Sequence, residues 1–367
     1  MSAGFHGSYL PEDVTFLLKP ISLPLLPVAE KERRIQSGDY HYSEMLSPEQ
    51  PPSQRYLDLF HLAMRRGCGR FARHVSLLAK AVNEQIGGPV TLVSLARAGT
   101  PVGVLLRREL HDRYGRDVRH YSVSIIRDRG IDENALLHII GPEKRTQESI
   151  VFVDGWTGKG VISRELDKAV AGFNRRHGTK ISSSLFVVAD LCGAAHTAAT
   201  CEDYLIPSSV LNGPISGLVS RSVLNRDHIG PEDFHGCVYF REFAEQDLSV
   251  WFIDTVMEAM RSPGEADKDA GPVPTREVLA ALRKTSTGFI EKTMERYGVL
   301  TENYVKPGIG EATRVLLRRT PHLLLLRNRD DPDVRHLLLL AEEKQVPVSL
   351  DEGLPYKAAA LIRNLRL

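Results

Sequence analysis

The sequence predicts an α/β protein with a doubly wound, mostly parallel sheet, followed by a second, small α/β unit. Between residues 90 and 189, short apolar runs rich in β-branched residues alternate with amphipathic stretches. Repeats of this kind form parallel sheets with right-handed crossovers. A stretch rich in proline and glycine at residues 262–274 interrupts the pattern and predicts a linker. We therefore expect a first domain over residues 1–261, a connecting helix over 275–299 and a second domain over 300–367.

Composition narrows the class of protein. The 367 residues exceed an ordinary single domain, and 47 basic residues nearly balance 46 acidic ones, so any anion site must be a local cluster. The four cysteines are widely spaced, which argues against a zinc site or a disulfide framework and fits a reducing cytoplasm. The apolar runs are shorter than the ~20 residues that cross a bilayer, and no secretory signal pattern is evident. We expect a cytoplasmic protein with no membrane partner.

Each element of the first domain has its own pattern. The first 55 residues are rich in proline and weakly periodic, which predicts an irregular cap. Apolar spacing then predicts two helices between residues 54 and 84, with a break near Gly67 and Gly69. The alternating core follows, with predicted strands at 90–95, 118–126, 149–153 and 184–189 and predicted helices at 101–114 and 161–176.

The second domain shows a shorter alternation. Thr275 is the predicted N-cap of the connecting helix, and Glu277 lies in its first turn. Beyond it the pattern predicts strands at 323–326 and 346–349 and helices at 309–319, 334–343 and 356–364.

Three predicted strand tips carry residues suited to chemistry. The third strand ends in Asp154 and runs into a glycine-rich turn at 155–160. A carboxylate at a strand tip can hold hydroxyls, and glycine amides at a helix start can hold a phosphate. The first tip carries Arg97 in a tight loop suited to a diphosphate. The second tip carries Arg127 and Arg129 in a long charged insertion that we expect to form a mobile lid.

The arrangement of these loops resembles the type I phosphoribosyltransferases. Three segments match its motifs: 95–100 the diphosphate loop, 127–132 the flexible catalytic loop and 151–160 the phosphoribosyl-diphosphate motif. The resemblance implies that Asp154 engages the ribose hydroxyls and, through the substrate, Mg²⁺, while Arg127 and Arg129 close over the reacting centre. The residues that it implies for binding phosphoribosyl diphosphate (PRPP) are Arg97, Ala98, Gly99, Thr100, Gly155, Trp156, Thr157, Gly158, Lys159 and Gly160.

The reaction that the resemblance implies is transfer of ribose 5-phosphate from PRPP to a base-like acceptor, with release of diphosphate. One position departs from the family pattern. Two consecutive acids usually end the strand, whereas here Asp154 is followed by Gly155 and Trp156. An ordinary purine or pyrimidine salvage reaction is therefore not the expected one. The departure favours an alternative, a non-catalytic PRPP-binding protein coupled to RNA sensing.

Several motifs in order narrow the resemblance. They lie at residues 7–11, 41–45, 124–132, 154–160 and 203–209. Together they are similar to the phosphoribosyltransferase-like proteins of bacterial tellurium-resistance and stress operons, a family also labelled cysteine protease StiP. This setting implies synthesis or salvage of a nucleoside-like metabolite.

The protease label provides another alternative, a cysteine hydrolase. Cys192 lies near His196 in the sequence, and Cys237 lies near His235. A nucleophilic thiol needs a base within hydrogen-bond reach, which proximity in sequence does not provide. Isolated cysteines are more often small buried hydrophobes.

Residues 305–319 resemble the entry into the first RNA-contacting helix of the L7Ae/pelota fold. That family has Gly-x-Asn-Glu at a helix N-terminus, whereas this chain has glycine in place of the asparagine, so contacts to the RNA backbone are expected. The resemblance implies RNA contacts at Lys306, Gly308, Gly310, Glu311, Arg314, Arg318 and Arg319. Taken alone, these arginines fit a solvated helix face equally well.

A polar, non-periodic segment follows the fourth predicted strand. Functional polar residues favour such loops, so we expect the small-molecule acceptor to bind there, although a structural loop fits equally. The candidate residues are Tyr204, Ser208, Ser209, Asn212 and Arg221. A homodimer is compatible with these features, but no residue pattern specifies it.

Overall fold

The computed structural model describes residues 4–38, 40–49, 52–211, 213–262 and 271–362. The predicted linker therefore lies largely outside the described residues. No helix within the described ranges is long and apolar enough to cross a membrane.

A seven-stranded sheet, counted over the described residues, forms the centre of the first domain. Its neighbours pair in parallel in the order β1-β4-β3-β6-β7-β8, with β5 antiparallel to β4, which confirms the predicted mostly parallel α/β class. β2 and β9 form a separate parallel pair. The strands are β1 (Thr15–Leu17), β2 (Lys19–Pro20), β3 (Val90–Ala96), β4 (Val118–Ile126), β5 (Gly130–Ile131), β6 (Ile150–Thr157), β7 (Leu185–Asp190), β8 (Thr197–Thr200) and β9 (Gly236–Cys237).

The strand order determines where a ligand can bind. From β3 the chain crosses to β4 on one side and later to β6 on the other, so the winding reverses between β3 and β6. Ligands of open α/β sheets bind outside the carboxyl ends of the strands at such a point. Arg97 directly follows β3, and Asp154 lies in the last half of β6.

Helices cover both faces of this sheet, which explains why its strands are continuous apolar runs rather than alternating ones. One core joins α2, α3 and α6 to one face through residues such as Phe71, Val102 and Phe252. The other joins α4 and α5 through Leu136 and Leu166. The first six helices are α1 (Val28–Ser37), α2 (Gln54–Gln85), α3 (Thr100–Asp112), α4 (Glu133–Ile140), α5 (Val161–His177) and α6 (Ser249–Arg261).

The break predicted near Gly67 and Gly69 is wrong, because α2 continues through both glycines. A glycine inside a helix costs about 1 kcal/mol relative to alanine. Burial of Phe60 and Phe71 on either side of the glycines exceeds that cost, since each full aromatic burial contributes about 2–3 kcal/mol. The predicted irregular cap also contains regular structure, since β1 extends the main sheet at its edge.

The long mobile lid predicted after the second strand is wrong as well. β5 folds back on β4, and Asp132 caps α4 by accepting a hydrogen bond from the Ala135 amide at 3.1 Å. Leu136 and Ile139 of this helix are fully buried in the core. The charged residues of this segment hide the apolar spacing of α4, and the parts outside regular structure are short, chiefly the turn at 127–129 that carries both arginines and residues 141–146.

The second domain is a four-stranded mixed sheet with helices on both faces. α8 and α9 pack on one face through Leu316 and Leu337, and α7 packs on the other through Ile290. The order is β10-β13-β11-β12. The elements are α7 (Arg276–Tyr297), β10 (Val305–Pro307), α8 (Ile309–Arg318), β11 (Pro321–Leu326), α9 (Arg335–Glu343), β12 (Val348–Leu350) and β13 (Ala358–Ile362).

The helix predicted at residues 356–364 is wrong, because residues 358–362 form the central strand β13. Three consecutive alanines favour a helix by propensity. Here they are buried on both faces of the sheet between two antiparallel neighbours, where small side chains let the helices approach closely. Tertiary packing therefore overrides local propensity.

The two domains pack directly against each other. The Asp203 carboxylate, which follows the main sheet, accepts hydrogen bonds from the Ile309 amide at 2.8 Å and the Lys357 amide at 2.9 Å. Arg283 on α7 donates to the Gly193 carbonyl at 2.6 Å, and the Tyr56 hydroxyl donates to the Leu317 carbonyl at 2.7 Å. These contacts place the start of α8 over the carboxyl end of β6.

Candidate active site

Asp154 lies half-buried near the end of β6, which runs on to Thr157 rather than ending at residue 153 as predicted. One carboxylate oxygen accepts a hydrogen bond from the Gly155 amide at 2.7 Å. Burial raises the pKa of Asp154 to about 6, although the Gly155 bond and the charge of Arg314 act in the opposite direction. The carboxylate is thus ionised at neutral pH, and the Gly155 hydrogen bond and the charge of Arg314 offset only part of the cost of burying its charge.

The loop that carries Arg97 lies directly against Asp154. A Cβ added to Gly99 would be 2.5 Å from the Val153 carbonyl oxygen and 3.1 Å from the Asp154 Cα. Only glycine permits this approach, which brings the predicted diphosphate loop and the predicted ribose acid together as expected. The Thr100 hydroxyl hydrogen-bonds to Ser122 Oγ at 2.8 Å within the core, and its amide donates to the Arg97 carbonyl oxygen at 3.1 Å.

The Arg97 side chain is held by the rest of the first domain. Its guanidinium donates to the Val219 carbonyl oxygen at 2.7 Å and to the Glu49 carboxylate at 2.5 Å, and the side chain is only 12% exposed. The Ala96–Arg97 peptide is cis. Glu49 was not predicted as a site residue, and its proline-rich surroundings gave no signal for it.

The glycine-rich turn is organised by a second buried acid. Asp190, at the end of β7, accepts hydrogen bonds from the Thr157 hydroxyl at 2.5 Å and from the amides of Cys192 at 2.9 Å and Ala195 at 2.7 Å. The Thr157 hydroxyl therefore points to Asp190 rather than towards a phosphate position. The signal for Asp190 was an acid at the end of an apolar strand, the same pattern that identified Asp154.

The turn ends in a conformation that needs glycine. Gly160 has a φ of 72° at the start of α5, and a Cβ there would lie 2.7 Å from the Ala194 Cβ. The amides at the start of this helix provide the donors and the positive dipole end that favour an anion.

Lys159 extends from this turn into the second domain. Its ammonium donates to the Glu302 carbonyl oxygen at 2.5 Å and lies 3.4 Å from the Asn303 side-chain oxygen. Burial lowers the pKa of Lys159 to about 8, and the nearby charge of Lys306 acts in the same direction.

The arginines predicted to be catalytic lie at the N-terminal segment. The Arg127 amide donates to the Tyr42 hydroxyl at 2.9 Å, and its guanidinium lies over the Tyr42 ring and 3.3 Å from Asn303 Oδ1. Arg129 donates to Glu44 at 3.3 Å. Both arginines therefore touch the N-terminal segment and one of them the second domain, which no pattern in the sequence indicated.

Several residues predicted to contact RNA face the turn after Asp154. The Arg314 guanidinium lies over the Trp156 ring at 4.4 Å, and a Cβ on Gly310 would lie 3.7 Å from the same indole. The Cγ of Glu311 would be 3.3 Å from a Cβ on Gly158.

Gly308 lies in the same interface, where its φ of 88° and a Leu191 methyl 2.4 Å from any added Cβ exclude other residues. Lys306 lies 3.7 Å from Glu311. Arg319 is exposed at the end of α8, and the side chain of Arg318 lies outside what the structure describes.

The predicted acceptor residues separate into three groups. Tyr204 is buried in the core, where its hydroxyl meets His74 Nδ1 at 3.0 Å, and Ser208 and Ser209 are buried with it. Arg221 lies two residues after Val219, whose carbonyl binds Arg97, and it donates to the Tyr42 carbonyl at 2.6 Å. Asn212 lies outside the described residues.

The thiols lie in environments that favour the neutral form. Burial raises the pKa of Cys192 to about 12, with the charge of Asp190 adding to the effect, and burial raises that of Cys237 to about 12 as well. His196 packs on Phe186, and His235 Nδ1 hydrogen-bonds to Ser124 Oγ at 2.8 Å. These histidines are thus engaged with partners other than the thiols proposed for them.

Comparison with known proteins adds the family. Residues 7–257 match the family described as "Tellurite-like stress resistance cysteine protease StiP". A protein of Acinetobacter baylyi named "Cysteine protease StiP" is 42% identical over 375 residues, an alignment that spans 100% of this chain and 96% of that protein. The chain belongs to the StiP family. The predicted family is thereby confirmed, and the Asp154, Arg97 and Arg221 segments all lie within the StiP match.

The second domain of this StiP-family chain has its own match. Residues 284–364 match the family described as "PELOTA RNA binding domain", which confirms the predicted pelota resemblance. Among solved structures, a hypoxanthine phosphoribosyltransferase of Trypanosoma cruzi bound to IMP is 13% identical with a TM-score of 0.26, covering 54% of this chain and 92% of that one. A likeness of that size carries no argument, so the function rests on the site.

Proposed function

We propose that the protein is a phosphoribosyltransferase that binds PRPP at the carboxyl ends of β3 and β6 and transfers its ribose 5-phosphate to a small acceptor. The observation that carries the proposal is the approach of Gly99 to Asp154, which unites a tight arginine-bearing loop, a strand-tip carboxylate and a glycine-rich helix start. Each of these elements suits one part of PRPP: diphosphate, ribose hydroxyls and 5′-phosphate.

The chemistry requires little covalent participation by the protein. The bond between ribose C1 and the diphosphate oxygen breaks with its electron pair on the diphosphate, while an acceptor lone pair forms the new bond to C1 and the acceptor loses a proton. Arg97 and the amide of Ala98 would stabilise the charge that builds on the diphosphate. The amides of Gly99 and Thr100, also predicted to bind it, already donate to the Leu95 and Arg97 carbonyl oxygens at 3.0 and 3.1 Å. Asp154 would hold the ribose hydroxyls in position, and the amides of residues 157–160 would hold the 5′-phosphate.

Mg²⁺ would come with the substrate. Across the described residues, no three histidine, cysteine or carboxylate side chains converge as a metal site. Asp154 alone fits a carboxylate beside a metal already coordinated by diphosphate oxygens, since Mg²⁺ commonly keeps substrate phosphates as ligands. The ion would supply neutralisation of the diphosphate charge.

Calorimetry with PRPP and Mg²⁺ tests the proposal. We expect the wild-type protein to bind PRPP and Asp154→Asn to weaken binding by roughly tenfold or more, because the neutral amide loses charge-assisted bonds to the ribose hydroxyls. Asp58→Asn, on the exposed side of α2, is the control and should bind normally. Wild-type protein that binds no PRPP, with Asp154→Asn identical to it, would contradict the proposal. Binding without diphosphate release across a panel of acceptors would identify the non-catalytic alternative.

A cysteine hydrolase is the second candidate, favoured by the descriptions of the family and of the Acinetobacter baylyi relative. The thiol nearest the proposed phosphate turn is Cys192, whose Sγ would lie 3.7 Å from a Cβ on Gly160. A thiolate is the active nucleophile, and the raised pKa of Cys192 opposes its formation at neutral pH. Peptidase activity that disappears in Cys192→Ser but survives in Cys68→Ser would establish this function.

For the second domain we propose RNA as a partner, bound away from the interface. Arg327 and Arg329 are both exposed after β11, at the end of a stretch, residues 312–329, that contains arginines and no acid and therefore favours phosphate contacts. A double variant Arg327→Gln and Arg329→Gln should weaken RNA binding and reduce its salt dependence, whereas Arg335→Gln on the exposed side of α9 should not. Unchanged RNA binding in the double variant would contradict this surface.

A further inference from the structure

We infer that Arg314 of the pelota-type domain is a substrate-binding residue of the phosphoribosyl site, where its guanidinium holds a phosphate oxygen of PRPP. The inference rests on the function proposed above and deepens it, because it makes the second domain a structural part of the site. It differs from the sequence prediction, in which Arg314 contacts RNA.

The fold places Arg314 at the end of β6. Arg314 lies on α8, whose start is fixed over the end of β6 by the Asp203 bonds to the Ile309 and Lys357 amides. Its guanidinium carbon lies 4.4 Å from the centre of the Trp156 ring, two residues after Asp154. The ring therefore acts as a platform that aligns the planar guanidinium at the loop.

Arg314 and the Arg97 loop both lie against the end of β6. Arg314 stacks on Trp156, and a Cβ on Gly99 would be 3.1 Å from the Asp154 Cα. Burial lowers the pKa of Arg314, and the charge of Arg97 acts in the same direction. The Arg97 guanidinium is paired with Glu49 at 2.5 Å, whereas Arg314 lies 3.7 Å from the acid beside it, Glu311. An added anion would therefore offset the charge of Arg314 in particular.

The hydrogen bonding of Arg314 is incomplete. The Arg314 Nε is buried and has no hydrogen-bond partner among the described residues. The acid nearest to it, Glu311, lies 3.7 Å from Nη1 and is divided between Arg314 and Lys306. A buried N–H without an acceptor is unfavourable, whereas a phosphate oxygen would satisfy it through the forked geometry that arginine offers.

The identity of the anion follows from the neighbours. The loop after β3, whose Gly99 lies against Asp154, is proposed to hold the diphosphate, and Asp154 lies in the segment proposed to hold the ribose. An oxygen that reaches Arg314 while the ribose meets Asp154 belongs to a phosphate attached to that sugar. PRPP carries phosphates on both sides of its ribose, and inorganic diphosphate carries the same oxygens without the sugar.

Calorimetric titration of full-length variants tests the inference. We expect Arg314→Gln to weaken binding of PRPP with Mg²⁺ by about 10- to 100-fold and to weaken binding of inorganic diphosphate in the same direction. Arg314→Lys keeps the charge but loses the fork and the stacking, and we expect an intermediate affinity. Arg335→Gln, an exposed arginine of the same domain, is the matched control and should bind like the wild type.

Tm measurements separate a binding role from a purely structural one. If Arg314→Gln lowers the Tm but leaves both dissociation constants unchanged, Arg314 only joins the domains and the inference is overturned. If Arg314→Gln fails to fold, the affinity of Arg314→Lys decides, and wild-type affinity in that variant overturns the inference.

The outcomes also distinguish this inference from the proposed function. PRPP binding that depends on Asp154 but not on Arg314 would overturn the inference alone. A wild-type protein that binds neither PRPP nor diphosphate would overturn both. Diphosphate binding that depends on Arg314, without any PRPP binding, would support an anion site at Arg314 and overturn its assignment to phosphoribosyl chemistry.

Discussion

At the scale of single residues, the site contains ionisable side chains whose pKa values are shifted by burial. Asp154 lies near the end of β6, and Lys159 lies five positions later in the turn that follows. Burial raises the pKa of the acid and lowers that of the lysine. Both shifts reflect the low polarity of the space between the two domains. A bound anion would stabilise the charged form of Lys159, so the pH dependence of anion binding reports on the protonation of this lysine.

Lys159 leads to a prediction about pH. Its pKa of about 8 means that the ammonium is present at pH 7 and is lost as the pH rises through 8. We expect PRPP affinity to fall by up to about tenfold between pH 7 and pH 9, because a neutral amine attracts phosphate weakly. The measurement is calorimetric titration at several pH values.

Lys159→Arg is the control for that dependence. Arginine stays protonated throughout this range, so the variant should bind PRPP with little change between pH 7 and pH 9. An equal loss of affinity with pH in both proteins would show that another group titrates and would contradict a phosphate contact by Lys159.

Sequence identified some of these residues for a physical reason and missed others for one. Asp154 and Gly99 belong to local patterns, a strand tip followed by glycines, and the structure brings them together. Arg314 and Glu49 reach the site from distant parts of the chain, and no local pattern encodes such an approach. The charge of Arg314 suggested an anion, but its position at the interface depends on how two domains pack.

At the scale of elements, the strands of the main sheet were predictable because burial on both faces leaves an apolar run. The predictions that are wrong concern elements whose conformation depends on packing against neighbouring elements. β13 has the composition of a helix and lies between two strands, and α2 continues through two glycines because its apolar face is buried along most of its length. The charged turn after β4 concealed α4 for the same reason, since its apolar residues face a core formed by other elements.

Gly99 provides a prediction at this scale. Gly99→Ala places a Cβ 2.5 Å from the Val153 carbonyl oxygen, a backbone atom that cannot move without shifting β6. We expect a loss of about 1–3 kcal/mol in the free energy of unfolding, together with weaker PRPP binding, because the two loops separate. Chemical denaturation and calorimetry measure the two effects.

Gly87→Ala is the matched control, since a Cβ there has open space around it. We expect it to leave both stability and PRPP binding within about 1 kcal/mol of the wild-type values. A Gly99→Ala protein as stable as Gly87→Ala would contradict the close approach of the two loops.

At the scale of the whole molecule, the second domain is fixed to the first by a few buried polar contacts. Asp203 is the centre of this interface, because its carboxylate accepts two amide hydrogen bonds from the second domain. Burial raises the pKa of Asp203 to about 6, against the opposing effect of those bonds. An acid whose folded pKa exceeds its unfolded value stabilises the folded state most below the unfolded value, and that stability is lost as the pH rises through the folded pKa.

Asp203→Asn tests this contact. We expect the variant to be less stable than the wild type at pH 5, because the amide cannot accept both hydrogen bonds with equal geometry, and the difference should shrink towards pH 7, where the wild-type carboxylate is charged. Thermal unfolding at both pH values measures it. A constant difference across this range would show that Asp203 does not titrate in the interface.

The central claim is that the end of β6 and the loop after β3 form a PRPP site. A crystal structure of the protein with PRPP and Mg²⁺ tests it most directly. The account predicts the ribose hydroxyls at Asp154, the diphosphate at residues 97–100 and the 5′-phosphate at the amides of residues 157–160. Density for PRPP elsewhere on the molecule would contradict it. So would crystals grown at saturating PRPP that show no ligand density beside an unchanged loop after β6.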